Sequence, residues 1–210
     1  MKLFPSLLPA GVLAFAAGNA HASNADLLVT GSITPDACTM SLTNSGDVDL
    51  GILDISTMNA AAVNPLAAQV VDVATACSAP VKFATMATED RPGTSYTAGN
   101  DYFGLNNAAN GAPIGHYTIK AGTGMADGTA ATVISSLDVL AWTSPAGGVK
   151  VEHGTGAKYT AVGSAVSGPA AASNASWKLT ISPTIPPIDT LALTGPQDID
   201  GRMTLTVVYL

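Results

Sequence analysis

The sequence predicts an all-β sandwich, and three observations carry that expectation. Nearly every apolar run is short and alternates with polar residues. The runs are bounded by Gly, Pro, Asn or Asp, so turn signals recur along the whole chain. No stretch keeps a 3.6-residue apolar stripe with helix caps over ten residues. Many short strands with frequent turns suit two packed sheets rather than a helical or α/β fold.

The amino terminus reads as a targeting segment. Lys2 precedes the apolar stretch "LFPSLLPAGVLAFAAG", which is followed by "AHA" at Ala20–Ala22. A positive residue, a short apolar run and an A-x-A pattern predict a signal peptide over residues 1–22, cleaved before Ser23. The run is too short to span a bilayer comfortably, so an uncleaved anchor is the weaker reading. No later segment approaches the ~18 continuous apolar residues of a membrane-spanning helix. The expected product is exported and not embedded in a membrane.

Residues 23–36 form a second alternating segment, "SNADLLVTGSITPD". Leu27, Val29, Gly31 and Ile33 share one face, with Leu28, Thr30, Ser32 and Thr34 opposite. A glycine inside a strand weakens it and tends to mark the close approach of another group. Gly31 sits mid-face, where it would pass over something bulky.

Cys38 and Cys77 are the only cysteines. In an exported chain they are expected to pair. Closing that loop stabilises the fold by roughly 4 kcal/mol on the chain-entropy model. The alternative, a redox or metal pair, lacks a CxxC spacing and a nearby histidine in sequence.

The body of the chain, residues 37–210, continues the alternation as one domain. "AQVVDVATAC" puts Val71, Val73, Thr75 and Cys77 on one face, and "VKFATMA" does the same for Val81, Phe83 and Thr85. "GHYTIKAG", "TAATVISSLDVLAW", "GGVKVEHG" and "DTLALTG" extend the pattern. In "SWKLTISPTI", Trp177, Leu179 and Ile181 form one face. "NAAAVNPLAA" could make a helical turn, interrupted by Pro65. The closing stretch "GRMTLTVVYL" holds the cleanest strand, with Met203, Leu205, Val207 and Tyr209 at alternate positions. At 5% aromatic residues, the girdles of a transmembrane β-barrel are missing.

Composition narrows the function classes. Charged residues make up 11% of the chain, with a formal net charge of -7, and the cations are scattered singly. No basic patch is present to follow a phosphate backbone, so nucleic acid is not an expected partner. Beyond His21 in the leader, the histidines are His116 and His153, and the glutamates are Glu89 and Glu152. The sequence has no G-x-S-x-G elbow and no HExxH. "HGTG" could imitate an oxyanion loop, but a turn between strands is the better reading. Asp198-Ile199-Asp200-Gly201 has calcium-like spacing without the remaining ligands, and reads as a turn. "TEDRPG" reads as a surface turn. Trp142 and Trp177 could stack on sugar rings, although core packing is the stronger expectation. The chain is therefore expected to be non-enzymatic, with no cofactor and no metal.

Taken together, these features resemble the chaperone–usher pilus (fimbrial) subunits. The resemblance rests on the alternating amino-terminal extension with a central glycine, the two cysteines, and the final strand with penultimate tyrosine. The phrases "ITPDAC", "DLGIL", "FGLNN", "IGHYTI" and "DGRMTLTVVYL" most resemble a fimbrial-type family of Gram-negative bacteria long recorded as a domain of unknown function. The resemblance covers the chain after the leader. Two departures stand out. Gln197 occupies the place where familiar pilins often carry glycine, and the region between Asp90 and Gly156 is enlarged.

The resemblance implies an incomplete immunoglobulin-like sandwich, completed by a strand donated from elsewhere. Leu27, Val29, Gly31 and Ile33 would be the donated face. Met203, Leu205, Val207 and Tyr209 would line the groove and be read by the chaperone. The implied partners are a periplasmic pilus chaperone, an outer-membrane usher and neighbouring subunits in a homopolymer. The implied place is the cell surface, as part of a fimbrium supporting adhesion or biofilm. The residues also admit two other readings: a single-domain secreted adhesin or sugar-binding sandwich, and a small secreted hydrolase.

Overall fold

A computed structural model describes residues 37–210 of the protein. Leu27, Val29, Gly31 and Ile33 lie outside the described residues, as does the leader. The described residues form two antiparallel sheets that share one strand. In the first sheet the order is β1 (Cys38–Leu42), β3 (Gln69–Val81), β11 (Ala172–Ile185) and β6 (His116–Ala126). Three short strands add to it: β2 (Asn64–Pro65) on β11, and β5 (Phe103–Gly104) and β8 (Val149–Lys150) on β6. The second sheet runs β7 (Thr129–Ser136), β9 (Tyr159–Ser164), β4 (Phe83–Glu89) and β12 (Met203–Tyr209), with β10 (Gly168–Pro169) on β9.

β7 joins the sheets. Its first residues, Thr129–Ala131, pair with β6, and Thr132–Ser136 pair with β9. The tight turn before it uses Asp127 (φ 46°) and Gly128 (φ 77°), the left-handed pair that suits strand twist in a hairpin. The Asp127 carboxylate then accepts the amides of Ser173 and Asn174 at 3.1 and 2.8 Å, tying the turn to β11.

The alternation foreseen for each strand sets the core. Val73, Ile119, Ala121, Trp177 and Leu179 from the first sheet meet Phe83, Ala87, Val133 and Val162 from the second. Fully burying each larger side chain contributes roughly 1.5–3 kcal/mol. Thr75, also buried, donates its hydroxyl to the Ala175 carbonyl at 3.0 Å, so its polar atom costs little. A second, smaller cluster lies on the outer face of the second sheet, where Ala84, Ile134 and Ala161 are covered by Trp142 and Tyr159.

Three segments differ from the sequence expectation. "VKFATMA" is not one strand: Val81 ends β3, Phe83 begins β4, and the chain changes sheets between them. β3 stays paired with β11 as far as Val81 opposite Ala172, and Lys82 is the one residue between β3 and β4. "NAAAVNPLAA" makes no helix. The Asn59 side chain instead accepts the amides of Ala61 and Ala62, both at 2.9 Å, and Asn64–Pro65 join β11. "DTLALTG" is not a strand: it begins inside the short helix α1 (Ile188–Leu191), which is stopped by Ala192 in the left-handed region. Pro187 preorganises that turn, and its carbonyl accepts both the amide and the hydroxyl of Thr190.

Candidate functional site: an open seam between two edge strands

The strand order, followed from the first sheet through β7 into the second, begins at β1 and ends at β12. Among the described residues each has a backbone partner on one side only, β3 for β1 and β4 for β12. Among the described residues the sandwich is thus closed along β7 and open along its other side. Both edges border the same core. Met40 and Leu42 of β1 and Met203, Leu205 and Val207 of β12 are half-buried against it. Leu53 and Met58, in the irregular stretch after β1, pack there too.

β12 forms because Thr and Val alternate with larger apolar residues, the pattern of a half-buried strand. Its full length pairs with β4, from Met203 opposite Glu89 to Tyr209 opposite Phe83. Thr204 and Thr206 are exposed on the outer side. Val208 follows them in the alternation, but it sits opposite Ala84 of the outer apolar cluster and is half-buried. Of Met203, Leu205, Val207 and Tyr209, the first three share the inward face of this edge strand. The fourth, Tyr209, is 47% exposed and does something different.

The Tyr209 phenol reaches across the end of the seam and accepts the Cys38 amide N–H at 2.8 Å. Cys38 is directly opposite Cys77 in the β1–β3 ladder, and the two form the expected disulfide, with Cα atoms 4.0 Å apart. One end of the seam is thus clasped by a hydrogen bond from a covalently fixed residue.

The start of β12 is held against β4 and β6 by charge and close packing. The Arg91 guanidinium pairs with the Asp200 carboxylate. The Asp90 amide donates to the Arg202 carbonyl at 3.1 Å, and the Thr204 hydroxyl donates to the Asp90 carboxylate at 2.9 Å. Gly201 lies so near Leu105 and Tyr117 that an added Cβ would sit 2.8 and 2.9 Å from their side chains. Tyr117 is buried, and that burial, with the Glu89 and Asp90 carboxylates nearby, raises the pKa of its phenol far above the ordinary value. "TEDRPG" and "DIDG", read from sequence as two unrelated turns, are partners that fix where β12 starts. Nothing in their spacing, 109 residues apart for Arg91 and Asp200, signals that pairing.

The histidines lie elsewhere. His153 Nε2 donates to the Tyr102 carbonyl at 3.0 Å and lies 3.4 Å from Glu89 Oε2. Glu89 Oε1 accepts the Gly104 amide at 2.6 Å. His116 is buried, its ring edge-on to Tyr102 with centroids 4.7 Å apart, and its Nδ1 has no hydrogen-bond partner among the described residues. Burial lowers its pKa, an effect only partly opposed by Asp101. Neither ring is hydrogen-bonded to a serine or threonine hydroxyl, so no nucleophile–base pair is assembled among the described residues. Nor do the described residues hold a group of three or more His, Cys, Asp or Glu side chains placed for a metal ion. "HGTG" is a 3-10 turn, Gly154–Gly156, between β8 and β9. Trp177 is buried in the core, and Trp142 covers the outer face with its indole N–H donated to the Val139 carbonyl at 3.2 Å. No described helix is long and apolar enough to cross a membrane.

Residues 27–129 match the model of a family described as "Protein of unknown function (DUF1120)". The matched stretch starts in the alternating segment at Leu27, spans both cysteines and β1 to β6, and ends at the first residue of β7. No curated protein matches the chain.

Proposed function

We propose that this protein is a non-enzymatic structural subunit of a chaperone–usher pilus, polymerising by donor-strand exchange. The observation that carries the reading is the seam: two edge strands, clasped at one end, with Met40, Leu42, Met203, Leu205 and Val207 half-covered between them. An edge with free N–H and C=O groups beside exposed core is an aggregation hazard that a soluble protein must cover. A strand laid into the seam satisfies both, by β-augmentation.

In this reading the covering strand is Leu27–Ile33 of the next subunit. Before assembly, a periplasmic chaperone covers the same seam, and an outer-membrane usher manages the exchange. Burying Leu27, Val29 and Ile33 contributes roughly 1.5–3 kcal/mol each. Each backbone hydrogen bond adds roughly 0.5–1.5 kcal/mol net. Gly31 leaves room where the donated strand crosses a bulky groove residue. The fibre stands on the cell surface and supports adhesion or biofilm.

The test is Gly31→Leu, co-expressed with chaperone and usher. The chaperone-bound subunit should accumulate folded while fibres fail to form. Normal fibres carrying that substitution would remove Gly31 from the groove-crossing role.

A further inference from the structure

The hydrogen bonds of the two edge strands show which backbone groups face the seam. In an antiparallel ladder, residues that exchange bonds with a neighbour alternate with residues whose N–H and C=O point the other way. The Ser78 amide donates to the Ala37 carbonyl at 3.1 Å, so the odd-numbered residues of β1 bond to β3. Cys38, Met40 and Leu42 therefore turn their backbone groups toward the seam. In β12 the Leu210 amide donates to the Lys82 carbonyl at 3.0 Å, and at the other end the Asp90 amide donates to the Arg202 carbonyl at 3.1 Å. Even-numbered residues thus bond to β4, and the backbone groups of Met203, Leu205, Val207 and Tyr209 face the seam.

Every pairing on the path from β1 to β12 is antiparallel, and the path holds eight strands, so the two edges run in opposite directions. Both leave the bond between Cys38 and Tyr209, β1 as its numbers rise and β12 as they fall. That bond takes two things a strand lying there would need. It occupies the Cys38 N–H, one of the donors β1 turns outward. It also places the Tyr209 ring across the space between the edges, against a residue that the disulfide fixes to β3.

Given the reading that a strand from a second copy of this chain fills the seam, we infer that Tyr209 is the end stop for that strand. The strand pairs with Met40 and Leu42 on one side and with Met203, Leu205 and Val207 on the other, and it ends short of Cys38. A stop supplies what the side-chain pattern does not. Slipping a strand by one residue turns its apolar face outward, whereas slipping by two keeps the same face inward. The alternation of Leu27, Val29, Gly31 and Ile33 therefore permits two-residue slips, and the Tyr209 ring closes those that run toward Cys38.

Hydrogen exchange at single amides of the exported full-length chain, in its assembled form, tests the stop. Exchanged samples are dissolved in an aprotic solvent and read by NMR. In the wild type the Cys38 amide should be protected, together with those of Met40, Leu42, Met203, Leu205 and Val207. Tyr209→Phe keeps the ring and removes the hydroxyl. The Cys38 amide should then lose protection by about tenfold, while the other amides hold. Tyr209→Ala removes the ring as well, so the strand runs on and the Cys38 amide should be protected again. Where a variant does not assemble, a through-space NMR contact between the Cys38 amide proton and the Tyr209 ring in the assembled wild type decides alone. Its presence supports the stop, and its absence overturns it. A Cys38 amide that stays protected in Tyr209→Phe would mean that the strand already reaches it, and the stop falls. Equal loss in both variants would mean that the ring stops nothing. If the other amides are open in the wild type, the seam holds no strand; the filling itself is then contradicted, and the stop with it.

Discussion

Tyr209 and Cys38 are joined across the end of the open seam: the phenol oxygen of one accepts the backbone N–H of the other at 2.8 Å. They are 171 residues apart and lie on the two edge strands of the sandwich. Tyr209→Phe removes this bond and keeps the ring. The bond is partly exposed, so its loss should cost about 0.5–1.5 kcal/mol, toward the low end. Urea denaturation of the strand-completed protein should show the midpoint moving down with an unchanged slope. An unmoved midpoint would mean that the clasp contributes nothing.

Cys38 donates that bond from a position fixed to Cys77. Replacing both cysteines with serine should destabilise the domain by about 2–5 kcal/mol, the usual effect of losing a native disulfide. The coupling is the sharper claim. Once the disulfide is gone, Tyr209→Phe should cost less than it does in the parent, a non-additivity readable from a double-mutant cycle.

Gly201 marks the start of β12. Its added Cβ would meet Leu105 Cδ2 at 2.8 Å and Tyr117 Cε1 at 2.9 Å. Gly201→Ala should therefore behave as overpacking, destabilising by about 1–3 kcal/mol. Gly122, whose Cβ would meet nothing within 4 Å, is the control: Gly122→Ala should be neutral or slightly stabilising. Melting temperatures of the two variants, measured side by side, check the contrast.

His116 gives a pH dependence with a definite sign. Its pKa in the folded state is depressed by burial below the ordinary histidine value of about 6.5. The unfolded chain therefore takes up the proton first. This contribution to stability is whole above about pH 6.5 and is lost progressively as pH falls toward the lower folded value. Over that window the melting temperature of the wild type should drop more steeply than that of His116→Gln. Parallel curves would show that His116 carries none of the acid sensitivity.

The strands were legible in the sequence wherever one face meets the core and the other meets water. Val71, Val73 and Thr75 in β3, and Trp177 and Leu179 in β11, are buried at alternate positions as their spacing predicts. Met203, Leu205 and Val207 likewise share the inward face. The disulfide was legible because only one pairing exists. The sheet change at Lys82 was not, because a strand that crosses between sheets keeps its alternation on both sides of the crossing. The short helix at Ile188–Leu191 was hidden for a related reason: four residues are too few to show a period. The clasp at one end of the seam, Tyr209 to Cys38, and the pair that fixes the start of β12, Arg91 to Asp200, escape any sequence pattern. Each is a contact between residues more than a hundred positions apart, brought together only by the fold.

The central claim is that this sandwich lacks a strand and that the amino-terminal segment supplies it. Thermal unfolding of two periplasmically expressed versions tests it most directly. One runs from Asp36 to Leu210; the other adds Asn24–Pro35 after Leu210 through a short flexible linker. The account predicts that only the second is a soluble monomer with a high, cooperative melt. If both fold equally well, the seam needs no further strand, and the polymer reading is contradicted.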